Sequence, residues 1–253
     1  MASRSLCTVR VVRVILLHAL PFDGSMWRAE QPLPGDTLTP TLYRLGTTLE
    51  EWAHGVLDLA GDDPLVVVGC SVGGSCAIEV ARAAPDQVAG IVLVGAKAGV
   101  RPDPAFRDEA VRLLTDRGME GGWSAYWRPL FGTATPAPTI ARARSLALAQ
   151  DVNDVIRGVR AFHDRRDRSE FARTWAGRIV VVSGDQDRTP LPSTAAAIVD
   201  GPNRHFRVVR NCGHYVNLEQ PTEFRRLLAS AVEICTQRRP HASGRGEGSS
   251  GAP

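Results

Sequence analysis

The sequence predicts an α/β protein built on a doubly wound, mostly parallel sheet. Three observations lead there. Short β-branched, apolar runs alternate with segments of helical apolar spacing along most of the chain. One run ends in a Gly-x-Ser-x-Gly turn, and two later runs end in segments carrying an aspartate pair and a histidine. The alternation stops once, over a long stretch that reads as helix alone.

The strand-type runs cover residues 9–17, 39–45, 65–70, 88–94, 178–183 and 205–209. Between them, residues 48–60, 71–84, 191–200 and 221–237 repeat apolar side chains at helical spacing. From about residue 101 to residue 176 the pattern becomes short helices at 105–117, 121–130, 139–149, 152–163 and 169–175. Helices that replace one crossover of a parallel sheet predict a lid above the sheet's carboxyl edge. The expected division is a core of residues 1–100 and 177–237, a lid of 101–176 and a tail of 238–253. The tail's Gly/Ser/Pro bias predicts disorder. Trp123, Tyr126, Trp127 and Phe131 cluster within the lid. They form either the lid's own core or the lining of a substrate pocket.

Composition narrows the function classes. At 253 residues, with 43% hydrophobic and 23% charged side chains, the chain has the balance of a globular protein with a large core. The net charge is +3, and basic residues are interleaved with acids, as in Asp164-Arg165-Arg166-Asp167-Arg168. A nucleic-acid face shows an uncompensated basic stripe, so that class is set aside. Cys7, Cys70, Cys76, Cys212 and Cys235 are odd in number and lack metal-type spacing. They predict neither a disulfide framework nor a zinc site, and free thiols suit the reducing cytoplasm. The first apolar stretch is short and broken by Arg13, which reads as a strand rather than a signal peptide. No apolar run approaches the roughly 20 residues that span a membrane. With no Gly-x-Gly-x-x-Gly fingerprint and no metal-ligand cluster, the expectation is a cofactor-independent, metal-free protein acting on a small molecule.

The chemistry centres on Leu65-Val66-Val67-Val68-Gly69-Cys70-Ser71-Val72-Gly73-Gly74. A buried strand, a tight turn carrying Ser71 and a following helix expose a serine hydroxyl at the sheet edge. Small neighbours let strand and helix approach, and the helix N-terminus favours a developing oxyanion. A serine hydroxyl needs a general base, usually histidine, and a carboxylate to orient that base. Asp185 and Asp187 follow the strand at 178–183, and His214 follows the strand at 205–209. Both segments lie just past strand ends, where open α/β sheets carry their reactive groups.

These segments and their order resemble the α/β-hydrolase family over residues 9–236, which implies an α/β-hydrolase sheet with an inserted helical lid. The resemblance makes Ser71 the nucleophile. The family's Gly-x-x-Asp pattern favours Asp187 over Asp185 as the acid. Gly213-His214-Tyr215-Val216-Asn217-Leu218-Glu219-Gln220-Pro221 is similar to the family's Gly-His-x-x-x-x-Glu-x-Pro ending, which makes His214 the base. His18-Ala19-Leu20-Pro21 is similar to its His-Gly-x-Pro segment, with Ala19 in place of the usual glycine. The resemblance thereby implies an oxyanion hole formed by the N–H groups of Leu20 and Val72. His18 is expected to shape that loop by hydrogen bonding. His54 and His205 read as surface or packing residues, His163 as part of the lid and His241 as part of the tail. Cys70 and Cys212 read as small buried hydrophobes. The implied activity is that of a serine hydrolase, similar to small carboxylesterases and enol-lactonases. Such an enzyme cleaves a small or medium ester, lactone or thioester through an acyl-enzyme. The fold also hosts lyases, cyclases, haloperoxidase-like enzymes and ligand-binding receptors, which are the alternatives.

Overall fold

A computed structural model describes residues 12–30, 37–100, 102–201 and 203–237. Its strands are β1 (Arg13–Leu17), β2 (Thr37–Leu38), β3 (Leu65–Cys70), β4 (Val88–Val94), β5 (Arg178–Gly184) and β6 (Arg204–Val209). They form one sheet in the order β2-β1-β3-β4-β5-β6, with every neighbouring pair parallel. The helices are α1 (Leu49–Ala60), α2 (Val72–Ala83), α3 (Pro104–Gly122), α4 (Ala137–Leu148), α5 (Val152–His163), α6 (Ser169–Thr174), α7 (Pro192–Ala196), α8 (Val216–Glu219) and α9 (Pro221–Thr236).

The strand order explains the layering. Right-handed crossovers that step one way from β1 to β2 and the other way from β3 to β6 must lie on opposite faces. Accordingly α1 packs on α2, which lies over β1, β3 and β4, while α9 covers β3, β4 and β5 and meets the 3-10 turn Gly24–Glu30. Helices on both faces leave the central strands no solvent side, so β3 is buried at every residue. At the sheet edge, β6 keeps Arg207 and Val208 exposed. A capping box starts α1: the Thr48 hydroxyl accepts from the Glu51 N–H, and the Glu51 carboxylate accepts from the Thr48 N–H.

Residues 39–45 are not the strand that their composition suggests. The strand is the short β2, and Leu42–Arg44 form a 3-10 turn. Pro40 has no N–H for a ladder, and the Leu42 N–H donates instead to His18 Nε2 at 2.9 Å. Leu42 and Tyr43 are buried by that turn. The expected helix at 191–200 is α7 followed by a 3-10 turn, Ala197–Val199. Residues 9–11 of the first expected strand, Cys7, His241 and the tail at 238–253 lie outside the described residues.

Between β4 and β5 the chain inserts α3 to α6. The expected helices at 105–117 and 121–130 run together as α3, interrupted by Gly118 at φ 60°, then a π-type turn, Trp123–Trp127, and a 3-10 turn, Arg128–Leu130. α3 packs along α5, and the insertion sits at the carboxyl end of the sheet, beside Ser71.

Candidate active site

Ser71 follows β3 and precedes α2, with φ 53° and ψ −114°. The other non-glycine residues with positive φ among those described are Asn203 and Asn211, and asparagine tolerates this region as serine does not. The strained turn is held from both sides. The Ser71 N–H donates to the Val94 carbonyl at 2.9 Å, and the Ser71 carbonyl accepts from Gly74 and Ser75 at 3.0 and 3.2 Å. A Cβ on Gly69 would lie 2.1 Å from the Gly73 oxygen, and one on Gly73 would lie 2.2 Å from the Leu17 oxygen. Only glycine allows strand and helix to meet this closely. The N–H groups of Leu20 and Val72 donate to no partner among the described residues.

His214 and Asp187 meet across two loops. His214 Nδ1 lies 3.1 Å from Asp187 Oδ1 and 3.0 Å from Oδ2, and both side chains are buried. Asp187 Oδ1 also accepts the Thr189 N–H at 2.9 Å. Asp185 points elsewhere and accepts the Cys212 N–H at 3.1 Å, shaping the turn before His214. Buried Glu219 accepts N–H groups from Gly132, Gly213 and Tyr215 at 2.8, 3.0 and 3.1 Å. The His214 N–H donates to the Leu130 carbonyl at 2.9 Å. Gln186 Oε1 accepts the Thr133 N–H at 2.7 Å, so residues 130–133 tie the insertion to both loops.

His18 is fully buried and accepts the Leu42 N–H at Nε2, which places its proton on Nδ1. Burial pushes its pKa down to about 4, so it is neutral at pH 7. Cys70 and Cys212 are free and buried, and burial raises both thiols well above the ordinary value. They stay protonated.

Two hollows meet at Ser71. An apolar arm of about 200 Å³ is lined by Leu20, Tyr126, Trp127, His214 and Tyr215. A second arm, of about 270 Å³, is lined by Lys97, Asp103, Phe162, His163 and Arg165. A larger groove of about 560 Å³ shares Lys97 but includes none of Ser71, Asp187 and His214. Of the four insertion aromatics, Tyr126 and Trp127 line the apolar arm. Trp123 and Phe131 do not: they pack on each other at 5.8 Å, and Phe131 packs on Tyr215 at 4.9 Å. The π-type turn divides the four between pocket and interior. Sequence reasoning missed Lys97, Arg165, Phe106, Phe162 and Thr189 as lining residues, and treated His163 as part of the insertion only. Lys97 carried a usable signal, since it follows the carboxyl end of β4.

Comparison with known proteins agrees with this architecture. The profile of the alpha/beta hydrolase family matches residues 14–227. A candidate carbamate hydrolase, RutD, of Caulobacter vibrioides is 29% identical over 210 residues, covering 77% of this chain and 74% of that protein. A pimeloyl-[acyl-carrier protein] methyl ester esterase of Aromatoleum aromaticum is 36% identical over 94 residues, covering 32% and 36%. A thermophilic esterase from Thermogutta terrifontis shares the fold with a TM-score of 0.80 at 23% identity, covering 89% of this chain and 91% of that one. The enol-lactonase from Burkholderia xenovorans LB400 does so with a TM-score of 0.78 at 18% identity, covering 88% and 92%. Among the described residues no helix is long and apolar enough to cross a membrane. A profile match that runs from β1 into α9, over a sheet of this strand order, makes the chain a member of the alpha/beta hydrolase family.

Proposed function

We propose that the protein is a serine hydrolase that cleaves a small or medium ester, lactone or thioester through an acyl-enzyme on Ser71. The observation that carries this reading is the Asp187 carboxylate on His214 Nδ1, beside a cavity that His214 and the strained Ser71 both line. Asp187 holds the proton on Nδ1 and leaves Nε2 free to act as the base. In the first step His214 takes the Ser71 proton while Oγ bonds to the substrate carbonyl carbon. The Leu20 and Val72 N–H groups, unpartnered among the described residues, stabilise the oxyanion. An oxyanion donor of this kind is worth about 2.7–4 kcal/mol in the barrier. His214 then gives its proton to the leaving oxygen or sulfur as that bond breaks. Water, deprotonated by His214, attacks the acyl-serine and releases the acid and Ser71. The name of the Caulobacter relative adds carbamates to the substrates worth assaying.

Residues 101–176 act as the lid on this reading, with Tyr126 and Trp127 lining the substrate cavity. The buried free thiols suit a reducing, cytoplasmic setting. Fluorophosphonate labelling of wild type and Ser71→Ala, followed by p-nitrophenyl esters of increasing chain length, tests the proposal. The expected result is labelling and turnover in the wild type and neither in the variant. A folded wild type that neither labels nor turns over any ester overturns it and brings the non-hydrolytic and receptor readings forward.

A further inference from the structure

Arg165 is a largely buried cation that forms no ion pair among the described residues. The residue is only 9% exposed, its Nε has no hydrogen-bond partner, and its terminal nitrogens donate to the carbonyls of Phe162 and Gly99. Its guanidinium lies 3.9 Å from the centre of the Phe162 ring. Lys97 lines the same arm of the cavity, and neither side chain forms an ion pair among the described residues. Carboxylates close by are engaged elsewhere. Glu79 is held by Arg82 and Arg168, and Glu50 by Arg166 and Arg168. Asp167 favours the Arg165 charge from beyond ion-pair distance, and its oxygens accept the N–H groups of Val100 and Ser169. Burying a cation without a close counter-charge is unfavourable, and buried Arg165 with half-buried Lys97 beside it at one cavity suits an anion from outside.

The charge count indicates which anion. Lys97 and Arg165 face Asp103, the one carboxylate lining this arm, whose Oδ1 caps α3 at the Phe106 N–H. His163 is held neutral by burial and by Arg165. The residues lining the arm therefore carry one net positive charge, with Asp167 behind Arg165, which matches a monoanion better than a phosphate dianion. We infer that the substrate is an ester whose acyl chain ends in a carboxylate, held by Lys97 and Arg165 while the ester carbonyl lies at Ser71. The inference rests on the hydrolase reading above and specifies its substrate class. The apolar arm, with Leu20, Trp127 and Tyr215, then takes the leaving group.

A matched pair of esters tests it. Mono-p-nitrophenyl glutarate and p-nitrophenyl valerate have the same acyl length and differ by the terminal carboxylate. The expected wild-type kcat/KM favours the glutarate ester, and Lys97→Met lowers the glutarate-to-valerate ratio about ten- to a hundred-fold, the worth of a charge-assisted hydrogen bond. Arg165→Met is expected to do the same, with circular dichroism checking that it folds. Lys97 carries the decisive arm because its side chain has no hydrogen bond to lose among the described residues. Hydrolysis of both esters with a wild-type ratio at or below one, unmoved by Lys97→Met, overturns the anion site and leaves the hydrolase reading intact. If neither ester reacts and Ser71 does not label, the hydrolase reading fails. Calorimetric titration of glutarate into Ser71→Ala then decides the anion site on its own. Binding that disappears in Ser71→Ala/Lys97→Met supports it, and no binding overturns it.

Discussion

Glu219 fixes His214 through the backbone on either side of it. Its two carboxylate oxygens take the N–H of Gly213 at 3.0 Å and the N–H of Tyr215 at 3.1 Å. The oxygen that takes Gly213 also takes Gly132. Glu219→Ala leaves three buried donors unpaired, each at a cost of about 1–3 kcal/mol. Urea unfolding should show a loss of about 3 kcal/mol or more, with Glu219→Gln intermediate because it keeps one acceptor oxygen. Unchanged midpoints would remove Glu219 from this role.

The two aspartates after β5 should separate cleanly. Asp187→Asn lets the amide donate to Nδ1 and selects the wrong imidazole tautomer, which in triads of this kind lowers kcat about 10⁴-fold. Asp185→Asn keeps an oxygen for the Cys212 N–H, so its kcat should stay within about tenfold of wild type. Steady-state rates on one p-nitrophenyl ester read both, and equal losses would contradict the assignment.

Gly95 follows β4 at φ 53°, and a Cβ there would lie 3.0 Å from His214 Nδ1 and 3.2 Å from Asp187 Oδ2. Gly95→Ala should combine backbone strain of about 1 kcal/mol with displacement of the imidazole, lowering kcat about 100-fold. Wild-type turnover in a folded variant would show that the ring does not need this space.

His18 should set part of the acid sensitivity. Its pKa falls from 6.5 to about 4 on folding, so the unfolded chain binds the proton first. The stabilisation is complete above about pH 6.5 and is lost as pH falls towards 4, by about 2 kcal/mol at pH 5. His18→Gln keeps an acceptor for the Leu42 N–H and should flatten that slope. Urea midpoints at about pH 7.5 and pH 5 measure it, and equal slopes in both proteins would refute the assignment.

Legibility in the sequence followed how local each signal was. β3, β4 and β5 announced themselves because strands covered on both faces are apolar throughout. The Ser71 turn is a contiguous motif, and His214 directly follows a strand. Asp185 and Asp187 share that placement; the Gly-x-x-Asp pattern favours Asp187, and Asp187 is the one in contact with His214. Residues 39–45 misled because their composition is strand-like while the partner of Leu42, His18, comes from a distant loop. Lys97 and Arg165 lie on different elements and meet only when the insertion folds over the sheet. The aromatic cluster was visible as a group, but a π-type turn decides which rings face the cavity.

The clamp at residues 130–133 divides the insertion into a rail and a wall. Along the rail, Leu130, Gly132 and Thr133 are bonded to the loops that carry His214 and Asp187, so a change of length there would shift both. The wall, formed by side chains of α3 and α5 such as Phe106, Val159 and His163, meets the cavity without sharing those bonds. Substitutions can therefore redraw the wall for a different substrate while the rail keeps its place. In this molecule, selectivity and reactivity are free to drift apart.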